Sequence, residues 1–103
     1  MGKVTRLDPR EALMAVEVRI PTILRTFTGG AKSVAGDGTT LLQVIDDIDG
    51  RNPGIKDRLV ESENLRRFVN VYVNDEDVRF SGGLSAATSD GDVVVVLPAV
   101  AGG

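Results

Sequence analysis

The residues with the most chemistry to offer stand at the end of this sequence, where Leu97-Pro98-Ala99-Val100-Ala101-Gly102-Gly103 closes on two glycines and a carboxylate. Glycine has no Cβ, so two in succession make a thin tail that can enter a narrow channel of another protein and offer its terminal group there. A carboxylate is inert at neutral pH. Joined to AMP as a mixed anhydride it gains a good leaving group, and attack by sulfur or by an amine then gives a thiocarboxylate or an amide. Gly103 is therefore the candidate reacting residue, and Gly102, Ala101 and Val100 are the segment that threads. A frayed terminus would carry the same residues, so the tail takes its meaning from the scaffold ahead of it.

Other clusters offer less. Asp46, Asp47 and Asp49 beside Gly50 hint at a calcium loop, but an EF-hand needs its glycine five positions after the first ligand and a bidentate glutamate to close, and neither is in place. The three acids read as a solvated helix end. Asp75, Glu76 and Asp77 have the residue type for acid–base work, yet consecutive acids between apolar runs are ordinary turn formers. Gly36 and Gly38 open a dinucleotide fingerprint whose third glycine is missing, since position 41 is leucine. Arg66 and Arg67 read as a solvated entry to a strand.

Composition narrows the field further. A chain of 103 residues holds one domain with one modest core. The formal charge of −3 leaves no basic excess to release counterions from a phosphate backbone, which argues against nucleic acid. With no cysteine and no histidine, there is no thiolate nucleophile, no disulfide, no usual general base and no metal site of the common kind, so no catalytic residue or metal ligand is expected. Any catalyst acting on the tail must come from a partner. The longest aliphatic run, residues 93–97, is far too short to span a bilayer, and the N-terminus shows no signal-peptide core. A cytoplasmic location without membrane contact is the expectation. Met1-Gly2 resembles the start of a myristoylation signal, but Arg6 stands where Ser or Thr is required. Residues 1–13 mix charge and proline without period, and read as a disordered extension, a cloning remnant or sequence upstream of a start at Met14.

The elements that must position the tail begin at residue 14. Met14, Val16, Val18 and Ile20 alternate with Ala15, Glu17 and Arg19 up to Pro21, the period of a half-buried strand. Thr28-Gly29-Gly30 is a turn, and residues 31–35 are expected to return as a second strand. Thr40 and Gln43 have capping-box spacing, and Leu41, Val44, Ile45 and Ile48 form one apolar stripe on the helix that follows. Gly50 is expected to close that helix in a left-handed cap. Pro53 is expected at the first position of a short second helix carrying Ile55 and Leu59, before a polar connection over 61–64. Residues 68–73 make a strong strand and residues 74–77 a turn, with a brief strand over 78–80 and a short segment at 84–88. The unbroken run at 93–97 predicts a central strand buried on both sides. The expected fold is α+β: a β-grasp, the ubiquitin-like roll, whose mixed sheet packs on one main helix. Its domain spans residues 14–99, with a flexible tail at 100–103.

Ile20-Pro21-Thr22-Ile23-Leu24-Arg25, the run from Phe68 to Phe80 with Asn70-Val71-Tyr72-Val73-Asn74-Asp75-Glu76-Asp77 at its centre, and the segment from Gly91-Asp92 to Gly103 together resemble the ThiS/MoaD family of sulfur carriers, most of all its actinobacterial cysteine-biosynthesis branch. The resemblance covers residues 15–103. It implies that an E1-like adenylyltransferase and sulfurtransferase uses ATP and magnesium to adenylate Gly103, which then receives sulfur as a thiocarboxylate. In that branch it further implies a pyridoxal-phosphate (PLP) cysteine-synthase-like acceptor, where the thiocarboxylate attacks an aminoacrylate, and a zinc metallopeptidase of the JAMM type that releases the cysteine formed. These cofactors belong to the partners. Arg25 and Leu97 sit where the family's partner-facing surface lies, although Leu97 could equally be buried.

The chain thus reads as a carrier protein and not an enzyme. Three other uses of the same tail stand beside the sulfur carrier: a ubiquitin-like modifier joined through Gly103 to lysines, the small subunit of molybdopterin synthase, and a sulfur donor to a secondary-metabolite pathway.

Overall fold

The computed structural model describes residues 15–98, so the expected extension at 1–13 and tail at 100–103 lie outside the described residues. Strand β1 (Ala15–Arg19) pairs antiparallel with β2 (Ser33–Asp37), Val18 facing Val34 and Val16 facing Gly36. Helix α1 (Leu41–Arg51) and the short helix α2 (Ile55–Leu59) follow. Next come a two-residue hairpin, β3 (Val60–Glu61) with β4 (Asn64–Leu65), then β5 (Val69–Val73), β6 (Glu76–Asp77) and β7 (Val93–Pro98). The main sheet has five strands in the order β2-β1-β7-β5-β6. Strand β7 runs parallel to β1 and antiparallel to β5, giving the mixed sheet and single main helix expected of a β-grasp.

The core follows from two periods. Alternation puts Val16 and Val18 of β1, Val69 and Val71 of β5, and Val94 and Val96 of β7 on one face of the sheet, all buried. Helical spacing turns Leu41, Val44, Ile45 and Ile48 toward them, and these four are buried too. Each such side chain contributes roughly 1.5–3 kcal/mol over its exposed state. Ile55 and Leu59 of α2, Val78 and Ala86 close the ends of the same core.

Several local expectations are corrected. The second strand lies at Ser33–Asp37, not at 31–35, because a 3-10 segment at Thr22–Thr28 lengthens the connection and Arg19 pairs with Ser33. At the start of α1 the Thr40 hydroxyl accepts from the Gln43 N–H at 3.3 Å, but the Gln43 amide oxygen reaches Thr39 instead of Thr40. Gly50 is inside the helix, which ends at Asn52, whose backbone and side-chain amides both donate to the Ile48 carbonyl. Pro53 precedes α2 by two residues, since Gly54 takes a φ of 101° that no helix accommodates, while Asp49 accepts from the Gly54 and Lys56 N–H groups. The connection over 61–64 is a tight hairpin turning on Ser62 and Glu63, both at positive φ, and Asn74-Asp75 turns β5 into β6 in the same way. Residues 78–80 form a 3-10 turn, with Asp77 accepting from the Arg79 N–H.

The largest correction concerns β7. It is central, but Val94 and Val96 alone are fully buried, while Val93 and Val95 are half-buried and Leu97 is exposed. One helix covers one face of a sheet, and the other face of β7 looks outward.

Gly36 lets α1 close on the sheet edge. A Cβ there would stand 2.7 Å from Val44 Cγ1 and 3.1 Å from Ile48 Cγ2. Gly36→Ala is expected to destabilise the fold by about 1–3 kcal/mol through overpacking. In thermal denaturation that lowers Tm by about 4–8 °C per kcal/mol for a domain of this size. An unchanged Tm would mean that helix and strand separate freely at this point.

Candidate functional site

The site is built on the end of β7. Pairing with β1 stops at Arg19 opposite Val95, whereas pairing with β5 continues through Leu97 opposite Asn70 to Pro98 opposite Val69. The last residues of β7 are thus held along one edge by β5, up to the point where the tail begins. Two hydrogen-bonded anchors fix the strand's other end: the Val93 N–H donates to the Asn74 side-chain oxygen at 2.9 Å, and the Asn74 amide donates to Asp92 at 2.8 Å. A strand held at both ends and buried at its centre fixes the position of Pro98, the last described residue. The tail residues named from the sequence, Val100, Ala101, Gly102 and Gly103, themselves lie outside the described residues.

The two sides of that departure point differ. On the outward face Leu97 is 48% exposed, and its strand neighbours there are Val95, opposite Tyr72, and Val93, opposite Glu17. Glu17 and Arg19 flank this strip with an ion pair at 3.1 Å, an exposed contact worth at most about 1 kcal/mol. Leu97 as a core residue is therefore excluded. On the helix side, Pro98 lines a groove of about 420 Å³ with Ile23, Phe27, Arg58 and Phe68. Arg25 is half-buried, and its guanidinium Nε donates to the Ile20 carbonyl at 3.0 Å. Its backbone carbonyl accepts from the Gly30 N–H at 2.7 Å. It thus ties the 3-10 segment to the end of β1 next to the groove.

Of the acids weighed in the sequence, Asp46, Asp47, Asp49 and Asp77 have structural partners. Asp46 pairs with Lys56 at 2.6 Å, a hydrogen bond that raises the lysine above its ordinary value of 10.5. Asp47 pairs with Arg51 and accepts from the Asp37 N–H, and Asp49 holds the turn into α2. Asp75 occupies the β5–β6 turn and Asp77 caps the residues after it. Gly38 has a packing role like that of Gly36, since a Cβ would meet the Val44 N at 2.8 Å. Arg66 is spent on Glu61 and the Asp57 carbonyl. No group of three or more His, Cys, Asp or Glu side chains among the described residues is placed to hold a metal ion. No helix there is long and apolar enough to cross a membrane.

Sequence reasoning missed Arg79. Its guanidinium donates to the Asn70 side-chain oxygen and to the Val69 and Arg67 carbonyls, pinning the start of the strand that carries the end of β7. An arginine after an acidic turn carries no sequence signal for such a role.

Against known proteins, the family model described as ThiS matches residues 18–103. Sulfur carrier protein CysO of Mycobacterium tuberculosis is 59% identical over 93 residues, covering 87% of this chain and 100% of that protein. Small archaeal modifier protein 3 of Haloferax volcanii is 33% identical over the same shares of the two chains. Among solved structures, a chain of the Amycolatopsis orientalis BexX/CysO complex is 66% identical, with a TM-score of 0.83 over 86% of this chain and 100% of that one. The resemblance read from the sequence is borne out on all three counts. Matched by the family model over residues 18–103 and aligned along the whole length of these relatives, the chain belongs to the ThiS family and is similar within it to the sulfur carriers named CysO.

Proposed function

We propose that this chain carries sulfur as a thiocarboxylate on Gly103 and delivers it to cysteine biosynthesis in the cytoplasm. The observation that carries this reading is the family match through Gly103 itself, on a tail that leaves the central strand of the sheet. An E1-like enzyme with ATP and magnesium supplies the first step. A Gly103 carboxylate oxygen attacks the α-phosphate, pyrophosphate leaves, and a sulfur nucleophile then displaces AMP from the acyl carbon. On a partner enzyme the thiocarboxylate sulfur would bond to the β-carbon of an aminoacrylate, the resulting thioester would rearrange by acyl transfer from sulfur to nitrogen into an amide-linked cysteine, and a metallopeptidase would hydrolyse that amide, freeing cysteine and returning the Gly103 carboxylate. This chain's own part is steric and positional: it binds the partners, holds the tail's origin still and supplies a terminus slim enough to reach the nucleotide. It acts as a carrier and contributes no catalytic group.

A second reading rests on the similarity to small archaeal modifier protein 3: attachment of Gly103 to lysines of other proteins. Intact-mass analysis of the protein from its own host separates the two. The carrier reading expects a fraction heavier by one oxygen-to-sulfur exchange, localised to Gly103. Lysine conjugates alone, under conditions that preserve thiocarboxylates, would favour the modifier.

Gly102→Val tests the threading. It lies beyond the last described strand residue, so stability is expected to stay within about 0.5 kcal/mol of wild type. Adenylation by the cognate enzyme should fall about a hundredfold, because a β-branched side chain widens and stiffens the tail and displaces the reacting carboxylate. Thermal unfolding measured beside adenylate formation reads both effects. Normal adenylation would defeat the threading argument.

A further inference from the structure

We propose that the groove beside Pro98 is a docking surface for the enzyme that adenylates Gly103, and that it receives an apolar side chain flanked by a carboxylate. The proposal rests on the carrier reading above and adds a surface to it.

Reach is the first argument. Five residues follow Pro98, and fully extended they span at most about 17–18 Å. An enzyme that holds the Gly103 carboxylate against a nucleotide must therefore bring its own surface close to Pro98. Which surfaces it meets there follows from strand alternation: Leu97 looks to the outward face, and Pro98 to the helix side.

Chemistry is the second argument. The rims of the groove expose large apolar side chains, Ile23 at 67% and Phe68 at 53%, with Phe27, Val96 and Pro98 between them. An apolar cleft of about 420 Å³ falls within the size range of pockets that take a bound group. The Arg58 guanidinium lies 5.6 Å from the centre of the Phe27 ring. Neither Arg58 nor the neighbouring Arg67 is in an ion pair among the described residues, although the chain as a whole is negative. A cation held over an aromatic ring at the lip of an apolar cleft is complementary to a carboxylate beside an apolar side chain. A second copy of this chain fits poorly, because a two-fold contact would bring the same arginines together.

The test is the kinetics of adenylation by the cognate enzyme with Ile23→Asp and Arg58→Glu, each with its thermal melt. Both residues are exposed, so folding is expected to persist, and Arg58→Glu probes the surface independently of Ile23. The tail and its carboxylate are untouched in both. KM for the carrier is expected to rise about tenfold or more with kcat nearly unchanged. The dependence of KM on salt should weaken in Arg58→Glu. Unchanged KM in both variants would overturn the groove while leaving the carrier reading intact. Failure of the wild-type chain to be adenylated would instead overturn the carrier reading, and the groove's assignment with it. A concentration-dependent dimer abolished by Ile23→Asp would assign the groove to a second copy and overturn the proposal.

Discussion

Strand β7 is paired on both edges and buried along one face at Val94 and Val96, and the other elements are arranged around it. Without it, β1 and β2 form one hairpin and β5 and β6 another, with no hydrogen bonds joining the two halves. Helix α1 then has no continuous surface on which to lay its four apolar residues. The hydrophobic term is thus cooperative in a plain geometric sense: the sheet becomes wide enough to cover a helix only when its middle is filled. Because the same strand runs to the end of the described residues, that end is held by the pairings that join the sheet.

The sequence makes the large features legible and hides those set by backbone geometry. The alternation of Val16 and Val18, the stripe from Leu41 to Ile48 and the central place of the valine run all appear in the structure. The stripe is decisive because its spacing matches one period only. The valine run misled about burial: β-branched residues favour strands on either face, so five apolar residues in a row cannot report that a single helix covers just one side. Gly50 failed as a terminator because glycine is tolerated inside a helix when its neighbours hold the ends, here Asp47 with Arg51 and Asn52 with Ile48. The 3-10 segment at Thr22–Thr28 has one buried side chain, Leu24, and thus no period to read.

The site divides along the same line. The two closing glycines show themselves in the sequence by residue type. The surfaces that flank their origin do not, since the groove assembles Ile23, Phe27, Arg58, Phe68 and Pro98 from four separate stretches of chain, and only the fold brings these together. Arg25 shows the limit of reading a side chain by its place in a motif: the motif singles it out, and the structure adds that its guanidinium already holds the Ile20 carbonyl.

Strand β7 is parallel to β1, which joins the first and last strands of the described chain at the middle of the sheet. During synthesis β1 and β5 emerge earlier, and each waits with an empty place beside it. Such long-range pairing is slow to form and leaves strand edges exposed in the interval. A chain interrupted before residue 93 lacks the strand that joins the two halves of the sheet, so a broken copy is left with two unjoined hairpins.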